Sequence, residues 1–142
     1  MRYLRHVVPF DTGVGKDPVY GWFHSGLLLR SMAAAGVATS EVTKVVLPHT
    51  DSNNAWCLVD DRGVPNVPEA RVFVPRLDCD LWTDLANVAL CRCTGDSILG
   101  AQCNLLAYQD RLFDGDAEIL PDVRAVASRG HCFYVIGTGQ DR

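Results

Sequence analysis

The 142-residue sequence predicts an α/β fold, on three observations. An apolar segment at Val7–Val8 runs through Pro9 and Phe10 into the glycine-rich turn Asp11-Thr12-Gly13-Val14-Gly15. A helical pattern over 25–35 follows, and a short apolar strand over 42–47 follows that. Strand, helix and strand in succession form a βαβ-like unit.

Each element has a local cause. Gly13 and Gly15 permit the backbone angles of a sharp turn. Ser25 is the expected N-cap of the first helix. Leu27, Leu28, Ser31, Ala34 and Ala35 fall near one face, and Gly36 is the stop. Pro48 closes the strand at His49. Residues 51–66, rich in Asp, Asn, Gly and Pro, read as loop with a short strand over 56–59. Residues 70–74 alternate as a strand. A helix is expected over 80–90, starting at Leu81 or Trp82, and another over 105–113. Gly115-Asp116 is a turn, and strands are expected over 123–127 and 132–136 around a bend at 128–130.

Composition bounds the function. A chain of this length suits one domain. Apolar residues make up 48% and charged residues 21%, as in an ordinary globular protein rather than a disordered one. The formal net charge is −4 and no basic stripe is visible, which argues against a nucleic-acid partner. No apolar run reaches the length of a membrane span, and none near the N-terminus suits a signal peptide. The expectation is therefore a cytoplasmic protein whose six cysteines are reduced thiols. Cys91, Cys93 and Cys103 lack the paired spacing of structural zinc sites. Gly13-Val14-Gly15-Lys16 lacks the four-residue spacer and the following Ser or Thr of a phosphate loop.

Read in order, the segments resemble the metallo-β-lactamase superfamily, especially its lactonase-like branch. Asp11-Thr12-Gly13 is similar to the family's DTG turn. Ala33-Ala34-Ala35-Gly36-Val37 and Val42 through His49 resemble its helix, strand and entry into the metal loop. Gly63 through Val74 resembles "G-x-P-x-F-P-N-A-x-Y", and Leu81-Trp82 matches a tryptophan that often follows. Gly115 through Val123, with Gly130-His131, resembles the approach to the third metal motif. The resemblance implies a partial αββα sandwich over residues 1–142, a single truncated domain about half the family's usual size. A half-size sandwich exposes an apolar face, which self-association into a homo-oligomer would cover.

The family's H-x-H-x-D-H motif supplies imidazoles two residues apart to one zinc, leaving a position for water. Zinc then provides hydroxide near neutral pH. Here the stretch reads His49-Thr50-Asp51-Ser52-Asn53-Asn54-Ala55-Trp56. His49 keeps the first histidine, Asp51 replaces the second, Asn53 the aspartate and Asn54 the last histidine. Asparagine is a feeble ligand for zinc, and asparagine-rich loops usually form Asx-turns. Counting from Pro121 aligns His131 with the third motif's metal ligand. Counting back from Tyr134-Val135-Ile136 aligns it with the neighbouring non-ligand. The bridging aspartate and the last histidine ligand have no counterpart.

The resemblance therefore implies a hydrolase-like protein with a depleted zinc site, inactive or impaired. A second reading is a single-zinc hydrolase of a small lactone, ester or amide, with His49, Asp51 and His131 as ligands and Asp51 also catalytic. A third is a partner-binding or split-domain module. His24 and Trp56 are the candidate substrate contacts, and a packing role is the equal alternative for His24 and the neighbouring Tyr20, Trp22 and Phe23.

Overall fold

The computed structural model describes residues 2–3, 6–15, 26–84, 111–128 and 134–138. Its elements in chain order are β1 (Arg2–Tyr3), β2 (His6–Val7), α1 (Leu28–Ala34), a 3₁₀ turn (Thr39–Glu41), β3 (Lys44–Val46), α2 (Ser52–Ala55), a second 3₁₀ turn (Trp56–Leu58), β4 (Arg71–Pro75), α3 (Arg76–Thr83), β5 (Arg111–Phe113), β6 (Glu118–Leu120), β7 (Val123–Ala127) and β8 (Tyr134–Thr138). β1 and β2 pair antiparallel, β3, β4 and β5 form a parallel sheet in that order, and β6, β7 and β8 form an antiparallel sheet.

The segment after β2 extends the parallel sheet. Val7 bridges Val42 and Phe10 bridges Val46, both in parallel sense. The Val46 amide donates to Pro9 and the Asp11 amide to Val46, while the Leu47 amide turns the other way to Phe73. β3 is thus flanked on both edges, and the C-terminal ends of neighbouring parallel segments open toward one place.

Strand alternation sorts the side chains into two cores. Val45 and Leu47 on β3 and its exit, with Val72 and Val74 on β4, pack on Met32, Ala55, Leu58 and Trp82 from the helices and turns. The intervening Val46 and Phe73 face Phe113, Ile119, Leu120, Val123 and Ala125, which belong to β5 and the antiparallel sheet. Described from one side to the other, the layers are helices, parallel sheet and antiparallel sheet. This is the α/β arrangement expected, in partial form.

Most predicted elements stand, with instructive differences. Gly36, at φ 69°, ends α1 as expected. The proposed cap Ser25 lies outside the described residues, and Leu27 precedes the helix without a side-chain cap. Helix α3 begins at Arg76, not Leu81, because Pro75 ends β4 with extended backbone and Asp78 complements the first helical turn. Thr83 is its last residue, so the expected continuation through 84 is not made, and 85–90 lie outside the described residues. Residues 111–113 are a strand rather than the end of a helix, a run too short for periodicity to decide. The expected strand over 56–59 is a 3₁₀ turn, because α2 leads directly into it. Strand β6 went unanticipated.

Leu47 and Leu58 are fully buried, whereas Leu77 is half exposed. Truncating Leu47 or Leu58 to alanine is expected to cost about 2–5 kcal/mol in urea denaturation, and Leu77→Ala less than about 0.5 kcal/mol.

Candidate functional site

The loop that follows β3 begins at Pro48, where the parallel sheet ends, and this places His49 beside the exit of the 7–11 segment. Open α/β sheets characteristically present their sites at these strand ends. His49 is 8% exposed, and its Nε2 lies 3.8 Å from Asp51 Oδ2. Asp51 is half-buried, and its carbonyl accepts the amides of Asn54 and Ala55, which winds Ser52–Ala55 into one helical turn. That turn separates the two asparagines. Asn53 is exposed, whereas Asn54 is 4% exposed.

Asn54 is committed to the DTG turn. Its Nδ2 donates to Asp11 Oδ2, and its carbonyl accepts both the Thr12 amide, at 3.0 Å, and the Thr12 hydroxyl. Asp11 takes φ 74°, a left-handed conformation that aspartate tolerates better than most residues, and its Oδ1 accepts the Gly13 amide at 2.6 Å. The Cys57 amide donates to Gly13 at 3.3 Å. Gly15 closes against the same segment, since a Cβ there would stand 2.8 Å from the Trp56 carbonyl oxygen. Burial pushes the Asp11 carboxyl above its ordinary range, opposed by the Gly13 amide, the nearby His49, the Thr12 amide and the Asn54 side chain.

The other end of the loop is tied to α3. Asp78, 3% exposed, accepts the Thr50 amide at 2.8 Å and lies 3.5 Å from the Thr50 hydroxyl. Burial raises its pKa, the Thr50 amide lowers it, and the Asp51 charge raises it further. The loop from 49 to 54 is therefore held between two carboxylates, the buried Asp78 at residue 50 and the half-buried Asp11 at residue 54. Sequence reasoning gave neither this role. Asp11 was visible only as part of a turn, and the one sign of Asp78 is its place three residues after Pro75.

Of the expected site residues, the structure brings His49 and Asp51 together. Trp56 lines a separate cavity of about 350 Å³ with Leu29, Arg30, Cys57, Val59 and Asn66, and neither His49 nor Asp51 is among its lining residues. His24 and His131 lie outside the described residues, as do Cys91, Cys93 and Cys103. A zinc centre needs three or four donors at about 2 Å. His49 and Asp51 are close enough to share an ion, but Asn54 is turned to Asp11 and Asn53 to solvent. Among the described residues no group of three or more His, Cys, Asp or Glu side chains is arranged to hold a metal, so this donor set does not fit zinc by itself.

The fold matches solved metallo-β-lactamase-superfamily hydrolases. AidC, a dizinc quorum-quenching lactonase solved in complex with a product, superposes with a TM-score of 0.76 at 21% identity over 94% of this chain and 48% of its own. AbOPH, a hydrolase in the β-lactamase superfamily, gives 0.76 at 18% identity over 95% and 48%. A probable metal-dependent hydrolase from Staphylococcus aureus gives 0.73 at 16% identity over 93% and 49%. The protein thus has a partial metallo-β-lactamase fold, and the chain spans about half the length of these structures. No family model and no curated protein matches the sequence. Among the described residues no helix is long and apolar enough to cross a membrane.

Asp78 yields a pH test. A carboxyl whose folded pKa is raised above its ordinary 3.8 binds more protons when folded, so its contribution falls as pH rises from 3.8 through the raised value. Asp78→Asn keeps an acceptor for Thr50 without the charge. Its stability relative to the parent should therefore increase with pH across that window in urea titrations, and a pH-independent difference would contradict the assignment.

Proposed function

We propose that this protein is a hydrolase-like member of the metallo-β-lactamase fold whose metal loop is depleted, leaving hydrolysis absent or impaired. The observation that carries this reading is Asn54. It stands where the family motif has its last histidine, and it is buried with its amide on Asp11. An amide held in that way is a poor donor for zinc, and the exposed Asn53 brings no carboxylate in place of the motif's aspartate. The loop keeps the family's position at the strand ends, but its side chains serve hydrogen bonding.

The approach of His49 to Asp51 supports one second reading, a single-zinc hydrolase completed by His131. In that case the ion would supply an activated water for a small lactone, ester or amide, with His49 and Asp51 as two of its holders and Trp56 and His24 as substrate contacts. The loss of two motif imidazoles, at 51 and 54, weighs against it. A cytoplasmic setting and self-association belong to the proposal as well, whereas a partner-binding or split-domain module is an alternative to it.

Metal analysis of protein purified without chelator separates the readings. The depleted site predicts well under about 0.2 zinc per chain and no chelator-sensitive turnover of lactones or esters. About one zinc per chain, with turnover abolished by chelator and by His49→Ala, would establish the single-zinc enzyme instead. The triple variant Asp51→His, Asn53→Asp and Asn54→His restores the motif and is expected to raise zinc affinity by about tenfold or more in isothermal titration.

A further inference from the structure

We propose that Asn54 is a positioning residue that does by hydrogen bonding what a cation does in a metal-bearing loop of this fold: it cross-links the ends of two adjacent parallel segments. The proposal rests on the depleted-site reading and assigns the motif position a new task.

The geometry makes the cross-link specific. Asn54 contributes its side chain and its carbonyl to consecutive residues of one turn, the former to Asp11 Oδ2 and the latter to Thr12. Asp11 in turn is fixed on both sides, since its amide donates to Val46 on β3 and its Oδ1 accepts the Gly13 amide. The turn and the loop are therefore sewn together across more than forty residues of sequence, close to where β3 ends. The amide orientation is dictated chemically. Nδ2 is the only side-chain atom of asparagine able to donate to a carboxylate, so Asn54 Oδ1 is directed away and stays buried without a hydrogen-bond partner. Leaving one buried acceptor unmade is unfavourable. The contact to Asp11 offsets that cost, as expected for a bond to an ionised group.

The arrangement also explains why a neutral residue occupies this place. A carboxylate at 54 would face the Asp11 carboxylate, and an apolar residue would leave it in a half-buried setting without its side-chain donor. Asparagine fits a site that has a half-buried carboxylate to satisfy.

A double-mutant cycle tests the contact. Asn54→Ala removes the amide while keeping the carbonyl that Thr12 uses, and Asp11→Ala removes its acceptor. Each single change is expected to lower the thermal midpoint by about 5–10 °C, with the double variant less affected than the sum by about 3 °C or more. Additive losses, agreeing within about 1 °C, would overturn the proposal even with zinc absent. Stoichiometric zinc would overturn the depleted-site reading whatever the cycle gives. Should the variants not fold, hydrogen exchange on the unaltered chain decides. The Thr12 amide is expected to exchange about 100-fold or more slowly than in an unstructured peptide, and exchange at the peptide rate would contradict the cross-link.

Discussion

The hydrogen bond from the buried Asn54 amide to the Asp11 carboxylate is the contact on which the layout of the strand ends depends. Three parallel segments, 7–11, β3 and β4, deliver their ends to one place, and each arrives with a polar residue that must be satisfied. Asp11 comes with the first, His49 and Thr50 with the second, and Asp78 just after the third. Apolar packing on both sheet faces brings these groups together, but it cannot satisfy them. Asn54 and Thr50 do so, reaching one carboxylate each.

One buried carboxylate, Asp78, beside the half-buried Asp11 and Asp51 makes a negatively inclined site, and burial raises the proton affinity of both Asp11 and Asp78. AidC, a solved lactonase of this fold, is a dizinc enzyme. Here the partners of the two carboxylates are backbone amides, a hydroxyl and one side-chain amide. Hydrogen bonds of that kind hold a loop in register without presenting an open coordination position, which is the feature that separates a structural polar cluster from a catalytic metal centre. The same residues thus fix the shape of the loop and, on the proposed reading, account for a changed chemistry.

Much of the fold was legible in the sequence because its determinants are local. Gly36 ends α1, the alternation at 71–74 marks β4, and the order of weak segments resembling one superfamily agrees with the superposed hydrolases. Less legible were the elements whose identity is set by tertiary contacts. Residues 111–113 pair with β4 through a register no local pattern reveals, and α3 starts at Arg76 because the strand before it ends at Pro75. In the site, the substitutions at 51, 53 and 54 were plain, but their division of labour was not. One helical turn sends Asn53 outward and Asn54 inward, and only the fold shows that Asp11, more than forty residues away, receives it. Trp56 likewise proved to face a cavity of its own.

The central claim is that the loop at the strand ends is held by hydrogen bonds and not by a bound cation. Thermal unfolding of the purified chain, followed side by side in excess zinc and in excess chelator, tests it most directly, because a ligand that binds the folded state raises the midpoint. The account predicts midpoints that agree within about 1 °C. A midpoint lowered by about 5 °C or more in chelator and restored by zinc would contradict it.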